Sequence, residues 1–195
     1  MHFGVRNDSE IYLKNMQKFF DDVFFPTLKK NNIKHVICTG DVYHNRRKID
    51  VLTAHISRKI FFEKLAENDI TMDVVAGNHD IYDRETSRYT AFEEFLKDFP
   101  NLKLYKEPVM ISDKIAYIPW INADNRARTE EFIAKNASKN VVAFGHLELV
   151  GYAMYKGSIA VHGDDPLKFN GFKHVYTGHY HSPSTAGNIS YIGSN

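Results

Sequence analysis

The sequence predicts an α/β protein built on a mixed sheet. Apolar strand-like runs alternate with helical patterns early in the chain, and a group of short strands follows. Four of the strands close on a glycine beside a polar side chain. The chain has 195 residues, 43% of them hydrophobic and 25% charged, which fits one packed domain and argues against disorder.

Residues 8–32 read as a helix because Tyr12, Met16, Phe19, Phe20, Val23 and Phe24 fall at helical spacing. Asn7, Asp8 or Ser9 offers the N-cap, and Pro26 is expected to kink or end this helix one turn early. A strand at 36–39 closes on Gly40-Asp41. Leu52, Ile56 and Ile60 mark a second helix that ends near Asn68, and a strand at 72–76 closes on Gly77-Asn78-His79-Asp80. A third helix is expected over about 89–97, then short strands at 102–105, 109–111 and 115–118. A helix over about 128–137 leads to a strand at 141–144 closed by Gly145-His146. The strand at 175–177 closes on Gly178-His179-Tyr180-His181, and 189–192 is the last strand. With no repeat and no low-complexity linker, residues 1–195 are expected to form one domain.

Composition removes several function classes. Lys and Arg number 25 against 24 Asp and Glu, so the chain is not a general polycation, although a local basic groove is compatible with that balance. No apolar run approaches the roughly 18–20 residues that span a bilayer, and no membrane partner is expected. The opening residues lack the apolar core of a signal peptide, and the single Cys38 allows no internal disulfide. Both features suit a reducing interior such as the cytoplasm.

Histidine is abundant, with ten residues. In an open α/β sheet, ligands gather beyond the carboxyl ends of the strands. Four short loops there would bring Asp41, Asn78, His146, His179 and His181 together. Imidazole, carboxylate and amide oxygen suit a borderline or hard divalent ion, and Asp41 could bridge two of them. His35, His55 and His174 carry no such context and read as surface or satisfied side chains; His162 is open between that and a place near the site.

In this order the motifs resemble the calcineurin-like metallophosphoesterases, whose pattern is Asp-x-His, Gly-Asp, Gly-Asn-His, Gly-His and Gly-His-x-His. The similarity extends over essentially the whole chain, through Ile118-Pro119-Trp120 and Tyr191-Ile192-Gly193, and is greatest to DNA-repair nucleases of the SbcD type, those of phage recombination in particular. Gly40-Asp41-Val42-Tyr43-His44 has the nuclease form, with a histidine three residues after the aspartate. The resemblance implies an α/β sandwich and a metal-dependent DNA exo- or endonuclease. It implies that His2, Asp41 and His181 hold one ion and Asp41, Asn78, His146 and His179 a second, most simply both Mn²⁺. His79 would be the catalytic acid, with Asp80 orienting its ring, and His44 would touch substrate. Arg46 and Arg47 would meet backbone phosphates.

The same resemblance implies DNA and a coiled-coil ATPase subunit of the SbcC type as partners, and homodimers. Phosphoesterase action on nucleotides or small diesters, or a non-catalytic scaffold, are the rival classes. The family opens with an apolar strand ending in Asp-x-His, whereas this chain begins Met1-His2-Phe3-Gly4. The expectation is therefore a domain truncated at both ends. It would lack the first strand, its aspartate and the C-terminal capping region, and its nuclease activity would be poor.

Overall fold

A computed structural model describes residues 1–155 and 157–194. The strands are β1 (His35–Cys38), β2 (Thr71–Val75), β3 (Ile81–Asp83), β4 (Thr86–Thr90), β5 (Leu102–Tyr105), β6 (Val109–Ser112), β7 (Ile115–Ile118), β8 (Val142–His146), β9 (Ala153–Tyr155), β10 (Ser158–Ile159), β11 (His174–Gly178), β12 (Ser184–Ala186) and β13 (Ile189–Tyr191). One parallel sheet has the order β1-β2-β5, and a larger mixed sheet has the order β12-β13-β11-β8-β7-β6. The architecture is the expected α/β arrangement with a mixed sheet. No helix among the described residues is long and apolar enough to cross a membrane.

Each sheet has its own core. The helices of the first half cover the small sheet with Phe20, Phe61, Phe62, Leu65 and Met72, while Ile133, Phe169, Phe172 and Val175 pack on the larger one. The sheets are joined at β2 and β7, where the Tyr117 hydroxyl donates to Asp73 Oδ2 at 2.8 Å and Trp120 N–H donates to the Ala76 carbonyl at 2.8 Å. That joint aligns the carboxyl ends of β1, β2, β8 and β11 along one seam.

Several expectations change in detail. The first helix does not end at Pro26: Glu10–Phe19 passes through a π-turn, Phe20–Phe24, into a further helix, Phe25–Lys30. Pro26 falls where the π-turn returns to α-helix and the regular hydrogen-bond ladder is already interrupted, so its missing N–H does not end the helix. The second helix has the same construction, Val51–Ser57, Arg58–Phe62 and Glu63–Glu67. Its π-turn shifts the inward face by a residue, so Phe61 and Phe62 are both buried while Leu52 is largely exposed. The third helix shortens to Ala91–Phe95 because the residues before it form the hairpin β3–β4. His35 bonds Thr71, His174 bonds Ser190, and His55 and His162 are exposed, so these four stay outside the seam.

Candidate metal centre

The chain start is fixed before its side chain is placed. His2 N–H donates to the Asp41 carbonyl at 2.8 Å and Phe3 N–H to the Val42 carbonyl at 2.9 Å, while the Phe3 ring is buried among Phe20, Tyr43, Phe61 and Phe62. Full burial of such a ring is worth about 2–3 kcal/mol, which anchors His2 over the loop after β1.

Glycines then let the loops close on one another. Gly40 has φ +96°, and a Cβ on it would lie 2.5 Å from His146 Nδ1 and 2.8 Å from the Gly77 backbone. Any side chain there would push β8 away from β1. Positive φ also occurs at His2 (60°), Asp41 (55°) and His179 (87°), where no glycine relieves it. Among the described residues eight non-glycine positions have positive φ, and three of them are expected ligands.

The donor atoms converge around Asp41. Its Oδ2 lies 3.4 Å from His146 Nε2 and 3.5 Å from His2 Nε2, so one carboxylate oxygen faces imidazoles on both sides. Asn78 Oδ1 lies 3.0 Å from His146 Nε2 and 3.0 Å from His179 Nδ1. Asp41, His146 and His179 form one group with ligand atoms within 4.8 Å of one another, and His2, His44 and His79 form a second.

Protonation decides what these contacts mean. His146 Nδ1 sits 2.6 Å from the Thr39 carbonyl, which can only accept, so the ring proton is on Nδ1 and Nε2 is a bare lone pair. Burial holds the His146 pKa below its ordinary value. Burial and the His146 ring bring His179 down to about 3, and burial above all brings His2 down to about 2. Burial alone would raise Asp41; the His79 N–H and the charge that His146, His2 and His79 carry when protonated pull it below the usual carboxylate range. Near neutral pH, His146 Nε2 therefore points a lone pair at Asp41 and Asn78 oxygens with no proton between them. Buried acceptors facing acceptors are costly unless a cation joins them. The donor set fits a divalent ion, and the partnerless, buried His2 Nδ1 marks the opposite side as incompletely satisfied.

Known proteins agree with this reading. A family model described as calcineurin-like phosphoesterase matches residues 1–183. The chain belongs to the calcineurin-like phosphoesterase family. That family hydrolyses phosphoester bonds and uses divalent metal ions, and the residues gathered here could hold such ions. The chain is also 32% identical over 196 residues to exonuclease subunit 1 of enterobacteria phage T4. The match covers 99% of this chain and 56% of that relative's length.

In this chain the expected residues do not all lie together. His2, Asp41, Asn78, His79, His146 and His179 share the seam. His181 lies against His2, with ring centroids 4.7 Å apart, but is exposed and outside both tight groups of donor atoms. His44 stacks on His79, ring centroids 5.5 Å apart. Arg46 and Arg47 instead line a neighbouring cleft.

Asp80 departs from its expected part. It does not orient the His79 ring, whose Nδ1 bonds the His44 carbonyl. Asp80 Oδ2 accepts from the N–H of Asp41 at 2.7 Å and of Gly77 at 2.8 Å, and Oδ1 from the N–H of Val42 at 2.8 Å. A buried carboxylate thus clamps the loops after β1 and β2. Burial and the Asp41 charge push its pKa up to about 7 against the pull of those three N–H groups. The motif suggested a catalytic pair because the two residues are adjacent, but alternate side chains in the turn point apart.

Two neighbours of the site have no motif of their own. Trp120 packs its ring 5.1 Å from that of His179, and Glu148 approaches His179 Nε2 at 3.9 Å. Trp120 stands in a segment that resembles the family, but nothing in the spacing of either residue marks it as wall or partner of a ligand.

Proposed function

We propose that this chain is a two-metal phosphodiesterase acting on DNA, an exo- or endonuclease of recombination or double-strand-break repair. The observation that carries this reading is the single Asp41 oxygen facing His2 on one side and His146 on the other, 3.5 and 3.4 Å away. Asp41, Asn78, His146 and His179 would hold one ion, and His2, Asp41 and His181 the other. When bound, such ions, Mn²⁺ in the simplest case, supply charge for the phosphate oxygens and a water of lowered pKa.

The rest of the work belongs to side chains. The His44 carbonyl fixes the His79 proton on Nδ1, leaving Nε2 to exchange a proton with a leaving oxygen. The His79 backbone N–H donates to Asp41 Oδ1 at 2.9 Å, which ties this acid to the bridging carboxylate. The Thr39 carbonyl holds the His146 tautomer, as outer partners of metal ligands do. Trp120 limits water around His179.

The name of the phage relative, a subunit, supports a partner chain; a coiled-coil ATPase of the SbcC type is the partner we propose, with DNA as their common substrate. The test is Mn²⁺-dependent cleavage of a labelled DNA duplex and of a chromogenic diester by wild type and by His79→Ala. Cleavage of both by wild type, lost in the variant with metal binding retained, supports the reading. Turnover of the small diester with no cleavage or binding of DNA assigns the site to small phosphodiesters instead.

A further inference from the structure

Beside the metal centre, residues 45–48 and the tip of the β3–β4 hairpin enclose a cleft of about 560 Å³, within the usual range for a small-molecule site. The first segment starts immediately after His44, and the hairpin begins immediately after Asp80. Arg84 carries the cleft back to the metal centre: its guanidinium lies 5.7 Å from the Trp120 ring, and Trp120 packs on His179.

The lining has unspent binding capacity. Arg46 Nε is buried and has no hydrogen-bond partner. The arginine ion pairs among the described residues fall on Arg58, Arg126 and Arg128, none on Arg46, Arg47 or Arg84. Arg84 and Arg47 both repel the Arg46 charge, so an anion between them would relieve that crowding. Asp83 and Glu85 also line the cleft, but Asp83 Oδ1 already accepts the Glu85 N–H at 3.1 Å. Four cations against two carboxylates leave the wall basic. Tyr82 adds an aromatic face: it is 49% exposed, and the Arg47 guanidinium stands 5.1 Å from its ring centroid.

We propose that this cleft is a subsite for an unpaired nucleotide next to the scissile phosphodiester, with its phosphate on Arg46 and Arg84 and its base stacked on Tyr82. Guanidinium and aromatic planes hold bases without regard to sequence, whereas a base within a duplex has no free face to offer. The site therefore favours single-stranded or frayed DNA ends. This inference rests on the nuclease reading for its substrate, but its binding can be measured apart from catalysis.

The experiment is fluorescence anisotropy of a labelled single-stranded oligonucleotide and of a blunt duplex, in EDTA, with the whole chain. Tyr82→Leu should weaken single-strand binding about tenfold and duplex binding less than about twofold, while Tyr82→Trp keeps both. Tyr89→Leu is the control, since Tyr89 on the same hairpin is exposed and carries Arg88 at 5.2 Å but lies outside the cleft. Arg84→Ala should reduce the dependence of log K on log salt by about 0.7 for the single strand. Unchanged single-strand binding in Tyr82→Leu, or an equal loss on the duplex or in Tyr89→Leu, overturns the subsite. Failure of wild type to cleave DNA in the separate Mn²⁺ assay overturns the nuclease reading and leaves these binding outcomes to be judged alone.

Discussion

The two sides of Asp41 are built differently. On one side, His146 and His179 meet Asn78, and a backbone carbonyl sets the His146 tautomer. On the other, His2 and His44 each leave Nδ1 buried without a partner, and His181 stays exposed. The first side is pre-organised and the second loosely held. Because ligands held by outer partners bind metal more tightly, the proposed centre should take its ions with unequal affinity.

Activity should respond most strongly at the acid that joins the two sides. His79→Ala is expected to lower kcat by about 10²- to 10⁴-fold in Mn²⁺, with both ions still bound in a metal-binding titration. A loss of either ion would instead make His79 a ligand. Next comes the contrast between ligands: His146→Ala should abolish the tighter metal-binding phase, whereas His181→Ala should weaken only the looser one. Equal effects would erase the distinction between the sides.

Stability tests the clamp. Asp80→Ala leaves the N–H groups of Asp41, Val42 and Gly77 without an acceptor in a buried place, at about 1–3 kcal/mol for each one left unsatisfied. Urea denaturation should show a loss of at least about 3 kcal/mol. Were Asp80 an orienting group for His79, the same change would alter kcat and leave stability nearly untouched.

The smallest effect concerns pH in the metal-free protein. His2, His146 and His179 have folded pKa values below the ordinary 6.5, so the unfolded chain binds their protons first as pH falls below that value. Asp80 acts in the opposite sense, taking its proton in the folded state between about 7 and 3.8. His44 is depressed as well, and these four imidazoles outweigh the one carboxyl, so the metal-free protein should lose stability as pH falls from about 6.5 toward 5. Asp41 adds to that loss only below about pH 4. Chemical denaturation at pH 7 and pH 5 should show it, and saturating Mn²⁺ should change the profile.

The glycine-and-ligand motifs were legible because each is local: a strand end, a turn and a side chain adjacent in sequence. The meeting of those ends was expected at the edge of one open sheet, whereas β1 and β2 belong to the small sheet and β8 and β11 to the larger one, so the central place of Asp41 depends on how the two sheets join. The parts of Asp80 and the His44 carbonyl were not legible, since they depend on contacts between loops more than thirty residues apart. The β3–β4 hairpin escaped because its short strands, with Asp83, Thr86 and Arg88, have no apolar alternation to announce them. Pro26 does not end the helix, because the π-turn just before it already interrupts the regular ladder and the chain resumes α-helix beyond it.

Calorimetric titration of metal-free protein with Mn²⁺, wild type beside Asp41→Asn, tests the shared carboxylate most directly. Two inequivalent binding events are expected in wild type, and both should weaken by at least about a hundredfold in Asp41→Asn, the upper end of what outer partners alone contribute. An Asp41→Asn protein that is fully folded and still binds either ion with wild-type affinity would contradict the shared carboxylate.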